Sequence, residues 1–150
     1  MANSYYSVYE HIVFSTKERA NVLTQEIRPQ LFAYFAGALR EQGCLPLIVG
    51  GMSNHVHMLV RKKSDLASSD LIRDIKRSSS KWLNSQRVAQ GKFHWQDGYG
   101  AFSISHWDIQ KIEIYIRNQE THHRRMSWEV EFRKLLIKHG VEFDEKYYLD

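Results

Sequence analysis

The stretch Leu45-Pro46-Leu47-Ile48-Val49-Gly50-Gly51-Met52-Ser53-Asn54-His55-Val56-His57-Met58-Leu59-Val60-Arg61 decides the fold. Leu45 to Val49 is a short apolar run, Gly50 to Asn54 carries turn residues, and His55 to Arg61 resumes a strand pattern, so the stretch reads as a hairpin. Upstream, Tyr5 to Thr16 reads as a strand, with Val8, Ile12 and Phe14 on one side of a period-two pattern. Between them Thr24 is a candidate N-cap, Ile27, Leu31, Phe35 and Leu39 recur at helical spacing, and Gly43 is a helix C′ residue. Downstream, Ser68 is a candidate cap for a second helix with Leu71, Ile72, Ile75, Trp82 and Leu83 as its apolar face. Phe93 to Gly100 is a shaped loop and Ala101 to Ser105 a fourth strand. A third helix starts near Asp108 with the stripe Ile109, Ile112 and Ile116, and a last one runs from Ser127 to Gly140. The order β-α-β-β-α-β plus trailing helices predicts an α+β, ferredoxin-like (RRM-like) core. In it one antiparallel four-stranded sheet carries helices on one face and leaves the other open.

Composition agrees with that class. A chain of 150 residues, 43% hydrophobic and 25% charged, suits one globular domain over residues 1–150 and excludes collagen-like or mainly disordered chains. The net charge of +4 suits a polyanionic partner without demanding one. The lone Cys44 has no internal disulfide partner, and neither a signal-peptide pattern nor an apolar run long enough for a bilayer is present. The expectation is a soluble, cytoplasmic protein with no membrane partner.

Residues two apart on a strand point to the same side, so His55, His57 and Leu59 share one face while Val56, Met58 and Val60 take the face that meets the helices. Two neutral imidazoles so placed can chelate a cation, although an isolated His-x-His is more often a solvated strand surface. On the third helix Tyr115 and Gln119 are four apart and stack on one side, at the edge of the isoleucine stripe. Together the four residues make chemical sense: two nitrogen ligands, an amide oxygen as a third, and a phenol nearby.

At this point the chain resembles the HUH single-tyrosine transposases of the insertion-sequence-200-like (200/605 group) family. The resemblance lies in Tyr9 to Lys17, Asn54-His55-Val56-His57-Met58-Leu59, Lys76-Arg77-Ser78-Ser79-Ser80-Lys81, Phe93 to Ser105, and Tyr115-Ile116-Arg117-Asn118-Gln119-Glu120. It implies that His55 and His57 are the metal-binding pair, Gln119 the third ligand and Tyr115 the nucleophile. It further implies a DNA transposase that cleaves and rejoins single-stranded DNA at hairpin-bearing element ends through a 5′-phosphotyrosine intermediate. Homodimers with active sites shared between subunits are implied as well. Imidazole ligands mixed with oxygen suit Mn²⁺ or Zn²⁺ on preference alone, and a substrate phosphate that completes the shell admits a labile Mg²⁺, so the expected cofactor is Mg²⁺ or Mn²⁺.

Arg73, Lys76, Arg77 and Lys81 on the second helix, with Arg61 and Lys62 after the histidine strand, are the candidate DNA contacts; their plain alternative is a solvated helix face. The run His122-His123-Arg124-Arg125 is read as the exposed end of a helix. Three other functions stay open: a domesticated, repeat-associated relative with the same chemistry, a water-using nuclease in which Tyr115 is structural, and a non-catalytic nucleic-acid-binding module.

Overall fold

A computed structural model describes residues 3–150. The hairpin forms as expected: β1 is Tyr9–Ser15, β2 Leu45–Gly51, β3 His55–Arg61 and β4 Gly100–Ile104. The helices are α1 Ile27–Glu41, α2 Ser68–Ser85, α3 Ile109–Arg117, α4 Gln119–His123 and α5 Trp128–Lys138. The four strands lie in the order β2-β3-β1-β4 with every pairing antiparallel, which is the ferredoxin-like sheet. Among the described residues no helix is long and apolar enough to cross a membrane.

Helix boundaries follow local chemistry. The Thr24 hydroxyl accepts a hydrogen bond from the Ile27 amide at 3.3 Å, and Pro29 sits in the first turn of α1, where its missing N–H costs nothing. Gly43, at φ +80°, takes the left-handed position past the end of α1. Ser127 caps α5 by accepting from the Val130 amide at 3.3 Å. Ser68 differs from expectation. It lies inside α2 and its hydroxyl bonds Glu10 at 2.6 Å, so Ala67 takes the N-cap position without a side-chain cap.

The pleat sorts the core. Ile12, Phe14, Val56, Met58 and Val60 face α1 and α2, meeting Leu31, Phe35, Leu39, Leu71 and Ile75. In the loop before β4, Phe93 and Trp95 are buried in this same core, with Trp95 edge-on to Phe14 at 4.8 Å and its Nε1 donating to Ser79 at 2.9 Å. The second face is not open, as the sequence reading held. Val13, Leu59, Phe102 and Ile104 also lie on it, and that apolar area is removed from water by two further layers. α3 covers one end through Ile112 and Ile116, and α5 covers the other through Trp128, Leu135 and Leu136. α3 comes so close to β2 that a Cβ on Gly50 would stand 2.8 Å from Ile116 Cγ2 and 3.0 Å from the Ile116 carbonyl oxygen. His55 and His57 are therefore sealed between sheet and helices.

Candidate active site

β3 points His55 and His57 into the layer under α3 to α5, where both are 0% exposed. Register fixes a third imidazole: β1 places His11 on the same face, diagonal to His57, with His11 Nε2 2.8 Å from His57 Nδ1. α3 delivers Tyr115 from the side, its ring centroid 5.8 Å from that of His57. The helix does not run on to Gln119 as one piece. It breaks at Asn118, whose φ of −95° and ψ of 24° leave the α-helical basin, and α4 then starts with Gln119. The break turns Gln119 inward, to 2% exposure, with its Oε1 3.0 Å from His55 Nε2.

Glu131 on α5 stands at the centre, 1% exposed. Its Oε1 is 2.9 Å from His123 Nε2, 3.2 Å from His57 Nε2 and 3.4 Å from His55 Nε2. Its Oε2 accepts hydrogen bonds from the Tyr115 hydroxyl and, at 3.1 Å, from Gln119 Nε2. His122 Nε2 also lies 3.0 Å from Oε2, without the alignment of a hydrogen bond. Trp128, one turn earlier on α5, stacks on the His55 ring at 4.5 Å and 17°. Sequence reading missed Glu131 and His11 and expected His122 and His123 on an exposed helix end. Both imidazoles instead turn toward Glu131, and only Arg124 and Arg125 of that run are exposed. One signal for Glu131 is in the sequence: it falls three residues after Trp128 and four before Leu135, so a carboxylate interrupts an apolar stripe.

Proton bookkeeping shows what this arrangement can hold. His55 Nδ1 faces Asn54 Oδ1 at 2.8 Å, and His123 Nδ1 faces the Met126 carbonyl at 2.6 Å. Each Nδ1 donates, so the Nε2 of each ring is the nitrogen turned inward, and in a neutral ring it carries the lone pair. Burial lowers the His55 pKa to about 4, which keeps that ring neutral near pH 7. Its lone pair thus confronts the Gln119 amide oxygen and the Glu131 carboxylate, an arrangement of acceptors with no proton to share. A cation fits such a donor set, and ligand histidines anchored through their other nitrogen are the usual support for one. Ligand atoms of His55, His57, His123 and Glu131 all lie within 4.8 Å of one another. Burial opposes the Glu131 charge, but the surrounding imidazoles of His123, His55 and His57 outweigh it and hold the carboxyl well below the usual range. Burial, then the Glu131 charge, raises the Tyr115 phenol above its ordinary pKa.

The expected DNA contacts are scattered. Arg73, Arg77 and Lys81 are exposed on α2, on the far side of the sheet from Tyr115, and Arg73 is paired with Asp70 at 3.1 Å and Asp74 at 3.4 Å. Lys76 caps the loop before β4 by donating to the Gln96 and Gly98 carbonyls at 2.7 and 3.0 Å. Lys62 is buried and donates to the Leu66 carbonyl and the Ser68 hydroxyl, so it offers no free charge to a phosphate. Arg61 is exposed at the end of β3. Tyr115 lies beside the histidines of its own chain, its ring centroid 6.1 Å from that of His11 and 5.8 Å from that of His57.

Residues 4–119 match a family model described as transposase, IS200-like. The match ends at Gln119, so His122, His123 and Glu131 lie beyond it. Among solved structures, one from Deinococcus radiodurans R1, named as a candidate transposase, is 22% identical with a TM-score of 0.65, over 79% of this chain and 95% of that one. A REP-associated tyrosine transposase bound to a REP hairpin is 16% identical with a TM-score of 0.60, over 82% of this chain and 74% of that one. At these identities the likeness is one of fold. No curated protein matches the sequence.

Proposed function

Because the chain belongs to the IS200-like transposase family, we propose that it cleaves and rejoins single-stranded DNA by transesterification, with Tyr115 as nucleophile. The reading rests chiefly on one observation: the Tyr115 hydroxyl, Gln119, His55 and His57 all converge on the buried Glu131 carboxylate. The REP hairpin held by the tyrosine transposase relative supports a hairpin-bearing strand as substrate. Residues 1–150 act as one domain in this reading, since α5 carries a central site residue.

His55, His57 and Glu131 would hold a divalent cation, with His123 and the Gln119 amide oxygen in reach. When bound, it polarises the phosphoryl oxygen and offsets the charge that builds in the transition state. Mg²⁺ and Mn²⁺ are the candidates, and a nitrogen-rich set favours Mn²⁺ of the two. The chain's own residues do the rest. Glu131 orients the phenol through its hydrogen bond, and Trp128 and Phe102 exclude water from the histidines' side. Tyr115 Oη then forms the bond to phosphorus as its proton passes toward Glu131, the bond from phosphorus to the sugar 3′-oxygen breaks, that oxygen takes up a proton and leaves as a 3′-hydroxyl, and a 5′-phosphotyrosine link remains. One phosphodiester replaces another, so a later 3′-hydroxyl can reverse the step and rejoin strands without an external energy source.

Incubation with hairpin-bearing single-stranded DNA and Mn²⁺, followed by a denaturing gel, tests this. A covalent protein–DNA band is expected, absent from Tyr115→Phe while that variant still binds DNA. Cleavage that persists in Tyr115→Phe makes the enzyme a water-using nuclease and overturns the tyrosine mechanism.

A further inference from the structure

Beside Tyr115 a cavity of about 190 Å³ opens between α3 and α5, with Tyr115 and Glu131 in its inner wall. Ile112, Met126 and Leu135 make it largely apolar, and the rings of His11 and His139 complete it. His11 is buried, and its Nδ1 has no hydrogen-bond partner among the described residues. The rim is cationic: Lys111, Lys134 and Lys138 line the cavity, all three are exposed, and none pairs with a carboxylate among the described residues. The volume is below the ~300–1,000 Å³ of pockets that enclose whole drug-sized ligands, so it suits one planar ring system with its charged substituents outside.

We propose that this cavity seats one nucleotide of the DNA strand next to the scissile phosphate, its base among Ile112, Met126 and Leu135 and its phosphates on Lys111, Lys134 and Lys138. An apolar slot lined by aromatic rings takes any base through its π-face, and a lysine rim takes the backbone; single-stranded DNA sites are built from that combination. The proposal rests on the single-stranded DNA reading of the site. It also relocates the DNA path. The strand enters through the cleft between α3 and α5, on the tyrosine side of the sheet, rather than over the basic face of α2. The two walls differ in origin: Lys111, Ile112 and Tyr115 lie within the residues the family model matches, whereas Met126, Lys134, Leu135 and Lys138 lie beyond them.

The test uses thymidine 3′,5′-bisphosphate as probe, titrated into the full-length protein in chelator-containing buffer by calorimetry, with inorganic phosphate and thymidine as controls. The bisphosphate is expected to bind at least tenfold more tightly than inorganic phosphate. Lys134→Glu with Lys138→Glu should weaken it at least tenfold, and Arg73→Glu with Arg77→Glu should leave it unchanged. Met126→Trp fills the cavity without altering charge and should reduce the bisphosphate to the affinity of inorganic phosphate. If the lysine pair unfolds the protein, Lys134→Gln with Lys138→Gln serves in its place. A bisphosphate that binds no better than phosphate, or that ignores both the lysine and the Met126 changes, overturns the proposal. The covalent-adduct assay separates the two readings. Adduct formation with an indifferent cavity sinks the subsite alone, whereas bisphosphate binding without any adduct leaves a nucleotide site and sinks the transposition chemistry.

Discussion

Glu131 does three things at once: it faces four imidazoles, it holds the Gln119 amide, and it fixes the Tyr115 hydroxyl. A carboxylate buried to 1% exposure survives only with such partners, since an unpaired charge there would be neutralised instead. Glu131→Gln keeps size and one acceptor oxygen but removes the charge. We expect Mn²⁺ affinity at pH 7.5 to fall by about tenfold or more, read by calorimetry, with the fold intact by circular dichroism. Unchanged affinity would remove Glu131 from the ligand set. Spacing expected Tyr115 and Gln119 on one helix, but the break at Asn118 puts them on separate ones; the shared face of His55 and His57 was readable because a strand alternates sides. Glu131 was not, because its role depends on how α5 lies across the sheet, and periodicity carries no information about which sheet a helix covers.

The elements show the same division. Hairpin, strand order and both core helices follow from period-two and helical patterns in adjacent segments, and Gly43 and Ser127 end or begin helices as their chemistry dictates. The covered second face was not legible, since Val13, Leu59 and Phe102 come from three strands and join into one apolar patch only after pairing. The break at Asn118 was hidden as well: Tyr115 to Glu120 has no proline or glycine to announce it. α3 is seated by its contact with Gly50 on β2, so Gly50→Ala should act at a distance. Its Cβ would meet Ile116, and overpacking of this kind costs about 1–3 kcal/mol. We expect a lower urea midpoint and a reduced adduct yield together, because the displaced helix carries Tyr115. Loss of stability with full adduct yield would show that the position of α3 is not critical.

For the molecule as a whole, the buried histidine layer couples stability to pH. His55 titrates at about 4 in the folded protein against ~6.5 in an unfolded chain, so between these values the unfolded state takes up the extra proton. His11 is shifted the same way, by burial first and His57 second. Glu131, held low when folded, adds acid sensitivity below its unfolded value near ~4.3. All three contributions are present at neutral pH and lost as pH falls. In metal-free protein we expect unfolding free energy to drop by about 2 kcal/mol from His55 alone between pH 7 and pH 5. A flat profile over that range would mean that these rings are not buried neutral. Assembly of the site within one chain makes another prediction: mixing Tyr115→Phe with His57→Ala protein should restore no adduct, whereas recovery would show that subunits exchange the tyrosine. The most direct measurement is to digest the covalent protein–DNA adduct with trypsin and nuclease and locate the nucleotide by mass spectrometry. A single 5′-linked nucleotide on Tyr115 is predicted; attachment at any other residue, or strand cleavage with no attached nucleotide, contradicts the account.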